Sequence, residues 1–66
     1  MNLTVNGAPQ TLPEHTTLAE LMMRENAANR GSAAAVDGVV VPRGRWDAFV
    51  LTDGSSVEVL TAVQGG

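Results

Sequence analysis

Hydrophobic and polar residues alternate at the start of the chain, where Leu3 and Val5 stand between polar neighbours. A period of two is typical of a half-buried β-strand. The Asn-Gly pair at 6–7 offers two residues that tolerate positive φ, which is a strong signal for a hairpin turn. Residues 8–12 form the predicted return strand. Pro9 cannot donate a ladder hydrogen bond, so this strand is expected at an edge of the sheet.

The pattern changes to a helical period after residue 16. Thr17-Leu18-Ala19-Glu20 fits a capping box, in which Thr17 is the N-cap and Glu20 reaches back to its amide. Apolar residues then recur on one helical face, and Met23 is expected to widen that face. Gly31 is the predicted residue at which the chain leaves the helix. We therefore predict one helix of about three turns.

The second half of the chain predicts two further hairpin-like units. Residues 33–36 form a short strand of small residues, Asp37-Gly38 is a turn, and 39–41 return until Pro42. Residues 43–48 are expected to be irregular or a single helical turn. An Asp-Gly turn of the same chemistry follows within 52–55.

The final strand, 56–63, alternates cleanly between two faces. The valine-rich side must face the helix; it consists of Val57, Val59, Thr61 and Val63. The opposite side consists of Glu58, Leu60, Ala62 and Gln64. Leu60 and Ala62 are apolar groups on the outer side, so they are candidates for a partner-docking surface.

These elements predict an α+β protein with a mixed sheet of four to five strands around one helix. A single helix covers only one face of a sheet, and a right-handed crossover places the final strand beside the first and parallel to it. This arrangement is the β-grasp, or ubiquitin-like, fold. We expect a domain over residues 1–63, followed by a flexible tail over residues 64–66.

Composition narrows the possible functions. The chain has 66 residues with 44% hydrophobic and 17% charged residues, so one globular domain is expected. Its four arginines and seven acidic residues give a net charge of −3, which disfavours nucleic-acid binding. Without cysteine, and with a single histidine, neither a metal site nor a catalytic set is predicted. The chain also carries no signal-peptide pattern or long apolar run, so we expect a cytoplasmic protein that is not an enzyme and binds no membrane.

Four side chains could carry chemistry, but each has a simpler interpretation. His15 could act as a base, but no partner group is evident, so a solvated loop histidine is preferred. Trp46 could stack on a ligand, although a single tryptophan in a small domain usually covers the core. Arg43 and Arg45 could bind a phosphate, but two solvated loop arginines are the preferred interpretation.

The sequence ends in Gly65-Gly66. A glycine pair can adopt backbone angles closed to other residues and can enter a slot too narrow for side chains. We expect the carboxylate of Gly66 to be the reactive group, with Gly65 and Gln64 threading into a partner. The dipeptide alone favours a frayed end, so the interpretation depends on the body that precedes it.

Three segments at characteristic spacings resemble the ThiS family, the sulfur carriers of thiamine thiazole biosynthesis. They are Val40-Val41-Pro42-Arg43-Gly44-Arg45-Trp46, Leu51-Thr52-Asp53-Gly54, and a strand that runs directly into Gly65-Gly66. Family members share a V-P-R-x-x-W segment, a D-G turn and a terminal Gly-Gly. Two positions depart from the family pattern: Ser55 stands where an acidic residue is common, and Gln64 where Gly or Ala is common.

The resemblance implies a mechanism and a set of partners. A ThiF-type adenylyltransferase would consume ATP to form an acyl-adenylate at Gly66, and a cysteine desulfurase or another sulfur donor would convert it to a thiocarboxylate. Thiazole synthase (ThiG-type) would receive the sulfur. The chain itself would hold no cofactor and would act as a carrier substrate.

Three other functions remain open at the level of sequence. The small subunit of molybdopterin synthase has a similar fold and chemistry but delivers sulfur to a pterin. A ubiquitin-like modifier would use the same terminal glycine to tag lysines of other proteins, although this chain has no lysine of its own. A simple interaction domain would make no use of the tail.

Overall fold

The structure, a computed structural model, describes residues 1–28 and 31–61. The elements in chain order are β1 (Asn2–Val5), β2 (Ala8–Thr11), α1 (Leu18–Arg24), β3 (Ala33–Val36), β4 (Val39–Val40), a 3₁₀-helix (Arg43–Ala48) and β5 (Ser56–Leu60). The five strands form one sheet in the order β2-β1-β5-β3-β4. The predicted mixed sheet with one α-helix, the β-grasp arrangement, is confirmed.

Strand β5 lies in the centre of the sheet although it is the last strand in the sequence. It runs parallel to β1, with Val5 opposite Val57, and antiparallel to β3, with Val36 also opposite Val57. Strand β2, which carries Pro9, lies at one edge as predicted. In the sheet, β5 therefore joins the β1–β2 hairpin to the β3–β4 hairpin.

Two turns have the backbone that their Asx-Gly sequences predicted. Asn6 and Gly7 have φ values of 51° and 82°, and Asp37 and Gly38 have values of 51° and 83°. Positive φ at both central residues matches the right-handed twist of the flanking strands. The third Asp-Gly turn differs, because only Gly54 has a positive φ, of 85°, in that turn.

Helix α1 begins as predicted but ends earlier. The Thr17 side chain accepts the Glu20 N–H, and the Glu20 carboxylate accepts the Thr17 N–H at 2.9 Å, which completes the capping box. The hydrogen bond from the Thr17 backbone N–H, and to a lesser extent the one from the Thr17 side chain, hold the pKa of the Glu20 carboxyl below its ordinary value of 4.5.

The helix ends after seven residues, about two turns, so the predicted end at Gly31 was wrong. Asn26 adopts a left-handed φ of 57°. The Asn26 N–H donates to the Met23 carbonyl, and the Ala27 N–H donates to the Met22 carbonyl at 2.7 Å. This pair of bonds is the Schellman motif, with asparagine in the position that glycine usually occupies.

The core lies between α1 and the sheet. Leu18, Leu21 and Met22 are fully buried, whereas Met23 is 69% exposed. The prediction that Met23 widens the apolar face was wrong. The Met23 side chain is exposed, whereas that of its neighbour Met22 is buried in the core. The other buried apolar residues come mainly from the strands and the second half of the chain; they include Leu3, Val5, Leu12, Ala34, Val36, Val41, Leu51, Val57 and Val59.

Trp46 closes one end of this core from the 3₁₀-helix. It is 4% exposed, and its indole Nε1–H donates to the Val41 carbonyl at 2.8 Å. The interpretation of Trp46 as a cover for the core is therefore confirmed. Within residues 1–28 and 31–61, no helix is both long enough and apolar enough to cross a membrane.

Candidate functional site

The predicted reactive and threading residues lie outside the described residues. Gly66, Gly65 and Gln64 belong to this group, as does Ala62, the second predicted docking residue. The described chain reaches Thr61, one residue beyond the end of β5. The part of the candidate site that the structure describes is therefore the surface around the end of β5.

The end of β5 is held from the β3 side by the sheet ladder. Leu60 lies opposite Ala33, and Val59 lies opposite Ala34, so pairing with β3 continues to the last residue of β5. On the β1 side the parallel register extends only to Val5 opposite Val57. The Asn6 N–H then donates to the Val57 carbonyl at 2.8 Å, and the backbone of β1 turns away at Gly7.

The Asn6 side chain takes over where the β1 backbone leaves β5. Its Oδ1 accepts the Val59 N–H at 2.8 Å, and its Nδ2 donates to the Val59 carbonyl at 3.1 Å. One carboxamide thus bonds both backbone polar groups of Val59, as a neighbouring strand would. Sequence reasoning identified Asn6 only as a turn residue, because nothing in the sequence pairs it with a residue 53 positions away.

Leu60 is on the outer face of the sheet, as predicted, and is 69% exposed. Register places Ala33 opposite Leu60, Ala35 opposite Glu58, and Val40 opposite Ala35 on this same face. We call the four apolar residues Ala33, Ala35, Val40 and Leu60 the outer patch. Together with Ala34 and Glu58 they line a shallow depression of about 80 Å³. Sequence reasoning identified only Leu60 of this group.

The small side chains of β3 give the outer patch its shape. Two alanines form its floor, while Val40, at 70% exposure, and Leu60 stand on either side of them. Side chains on adjacent strands that face each other directly lie close enough to act as one surface. The outer patch is therefore a low, apolar concavity beside the end of β5, bordered by the negative charge of Glu58.

The other chemical candidates do not converge on this face. His15 lies in the loop before α1 with a φ of 69° and is exposed. The Arg43 guanidinium lies 4.6 Å from the centre of the Trp46 ring, and its Nη1 donates to the Ala28 carbonyl at 2.7 Å. Arg43 is exposed, as expected of a solvated arginine, and its guanidinium also contacts the body. Across residues 1–28 and 31–61, no group of three or more His, Cys, Asp or Glu side chains could hold a metal ion.

Comparison with known proteins gives a consistent result. The family model described as "ThiS family" matches residues 3–66, almost the whole chain. The chain belongs to the ThiS family. The resemblance inferred from the proline-arginine-tryptophan segment, the Asp-Gly turn and the terminal glycines is therefore confirmed. No curated protein matches the chain at a significant level.

Two solved structures extend this assignment to three dimensions. The crystal structure of the thiamine biosynthesis protein ThiS from Geobacter metallireducens superposes with a TM-score of 0.80, at 36% identity, over 100% of both chains. The NMR solution structure of a thiamine biosynthesis protein from the same organism has a TM-score of 0.82 at 36% identity, over 100% of this chain and 88% of that one. At this level of similarity, the chain is a ThiS-type sulfur carrier with the β-grasp fold.

Proposed function

We propose that this ThiS-family chain carries sulfur as a thiocarboxylate on Gly66 for the formation of a thiazole in thiamine biosynthesis. The observation that supports this most strongly is the family match, which runs through residue 66 and so includes the glycine pair. The central position of β5 adds to it, because the segment that continues toward Gly66 starts from a strand paired on both sides.

The chemistry requires activation, because the charge and resonance of a carboxylate resist nucleophilic attack. A ThiF-type adenylyltransferase would join the Gly66 carboxylate to AMP and release pyrophosphate from ATP. The outer sulfur of a cysteine desulfurase persulfide, or of another donor, would then attack the acyl-adenylate and displace AMP. A thiol would cleave the resulting acyl disulfide, leaving the thiocarboxylate on Gly66 while the thiol is oxidised to a disulfide. The resulting thiocarboxylate sulfur is a better nucleophile than a carboxylate oxygen and would be transferred to a ThiG-type thiazole synthase.

The chain acts in this scheme as a substrate for other enzymes. Residues 1–63 would be the docking body, and Gln64, Gly65 and Gly66 would reach the active site of the partner. Three extended residues span about 10 Å, enough to enter a buried site while the body stays outside. Ordering them costs on the order of 3–6 kcal/mol, with glycine at the expensive end.

The outer patch supplies a means to offset that cost. Apolar surface removed from water contributes about 25 cal/mol per Å². Leu60 and Val40 are both about 70% exposed and lie on the face where β5 ends. We propose that Leu60, together with Ala62, docks against the adenylyltransferase and thiazole synthase in turn, which gives an exposed leucine a role at this position.

Intact mass tests the carrier function directly. After co-expression with the adenylyltransferase and the sulfur donor, the mass is expected to rise by about 16 Da, since one oxygen at Gly66 is exchanged for sulfur. The matched control is the Gly66→Val variant, whose side chain should block entry to the partner and leave the mass unchanged. An unmodified wild-type chain, in the presence of an adenylyltransferase that is active on a known carrier, would contradict the proposal.

A further inference from the structure

Strand β5 is fixed by side chains from two turns of the same type. At its start, Asp37 Oδ1 accepts the Ser56 N–H at 2.9 Å. At its end, the Asn6 carboxamide bonds both the N–H and the carbonyl of Val59. Both residues have a φ of 51° and precede a glycine. The two turns are therefore alike in backbone, but they hold opposite ends of β5.

The contact at Val59 is the last connection between β5 and the β1 side of the sheet within the described chain. Parallel pairing ends at Val57, and the backbone of β1 has already turned at Gly7. Without the Asn6 carboxamide, the end of β5 would keep hydrogen bonds on its β3 side only. A strand end held on one side can twist and fray more readily than one held on both.

We propose that the Asn6 carboxamide is a positioning residue that fixes the direction in which the terminal segment leaves the body. Val59 is two residues before Thr61, the last described residue, so the orientation of Val59 sets the direction in which the described chain ends. This role rests on the proposed function, because it matters only where Gly66 must meet ATP in the adenylyltransferase. An acyl transfer of this kind is sensitive to small misplacements of the reacting group.

The Asn6→Gly variant removes the carboxamide and keeps the turn, since glycine adopts a φ near 51° without strain. The backbone bond from residue 6 to the Val57 carbonyl is retained. Asp37→Gly is the matched control: it removes the corresponding side-chain contact at the start of β5 and leaves the same Gly-Gly turn. Asn6→Asp is a second variant of the same shape, in which a carboxylate oxygen faces the Val59 carbonyl in place of the amide donor.

Two measurements follow, at a temperature where all variants are folded. Amide hydrogen exchange at Val59 is expected to accelerate about tenfold in Asn6→Gly, which loses the acceptor of the Val59 N–H, and to be unchanged in Asp37→Gly. In pyrophosphate exchange with the adenylyltransferase, the two Asn6 variants are expected to lose about fivefold in kcat with KM within about twofold, because docking of the body is intact while the carboxylate is misdirected.

The outcomes separate this role from a purely structural one and from the proposed function. Equal losses of kcat in Asn6→Gly and Asp37→Gly, or unchanged exchange at Val59 in Asn6→Gly, would overturn the positioning role alone. A wild-type chain that supports no pyrophosphate exchange would overturn the proposed function, and the exchange rate at Val59 would still show whether Asn6 holds the strand.

Discussion

The two faces of β5 have opposite environments although their residues alternate along one strand. Val57 and Val59, on the inner face, are 0% and 8% exposed, whereas Leu60, on the outer face, is 69% exposed. The inner residues belong to the buried core between α1 and the sheet. Leu60 has no such task within the described chain, so the difference separates the part of the strand that makes the fold from the part available to a partner.

A substitution on the inner face of β5 should lower the stability of the fold more than one on the outer face. Val57→Ala deletes two buried methyl groups and leaves a cavity against α1, so we expect the free energy of unfolding to fall by about 2 kcal/mol. Chemical denaturation of the purified variant measures this. In so small a domain that is a large share of the total stability. A change below about 0.5 kcal/mol, the size expected for a surface site, would mean that the inner face is loosely packed.

Thr17 tests whether a residue that is only half-buried can still be structural. Thr17→Ala removes the side-chain cap of α1 and should lower the free energy of unfolding by about 1 kcal/mol. Thermal unfolding of the variant, with Thr17→Ser as the control that keeps the hydroxyl, measures the loss. Equal destabilisation by both substitutions would show that the cap does not depend on the hydrogen bond.

The same capping box predicts a pH dependence. The pKa of Glu20 is lowered in the folded state, so its contribution to stability is present above the ordinary value of 4.5 and is lost as the pH falls through the lower folded value. Glu20→Gln should therefore reduce the slope of stability against pH in the range below about pH 5. Parallel curves for the wild type and the variant would contradict the assignment.

The smallest effect on stability is expected at Leu60. Leu60→Glu should change the free energy of unfolding by about 0.5 kcal/mol or less, because the side chain is already in water. It should weaken binding to the adenylyltransferase by about tenfold or more, since a charge then lies on one side of the outer patch. Met23→Glu is the matched control, with the same 69% exposure on a different surface. Equal binding losses for both variants would contradict a specific docking role.

The sequence predicted the features that depend on neighbouring residues. The Asx-Gly turns and the capping box are encoded within four residues, and both appear in the structure. The end of α1 was missed because Asn26 replaced glycine in the left-handed position, and the burial of Ala27 next to it depends on tertiary contacts. Met23 was misplaced for a related reason, since the side of the helix that is buried depends on how α1 packs on the sheet.

The candidate site was predictable only in its chemistry. The glycine pair and Leu60 can be read from the sequence, and the family pattern adds the expected partners. The outer patch requires the register that brings Val40 and Ala35 to the same face as Glu58 and Leu60. The bond between Asn6 and Val59 requires two turns and a crossover to be placed correctly, which no local pattern specifies.

The central position of β5 also has a consequence for the order in which the protein can form. The β1–β2 and β3–β4 hairpins can each pair locally, but they share no edge with each other. A growing polypeptide cannot close its sheet until residue 60 has been synthesised, and long-range pairing of this kind is intrinsically slow. An incomplete chain therefore has neither a finished sheet nor an anchored β5, so the strand that joins the two hairpins is also the last strand to be synthesised.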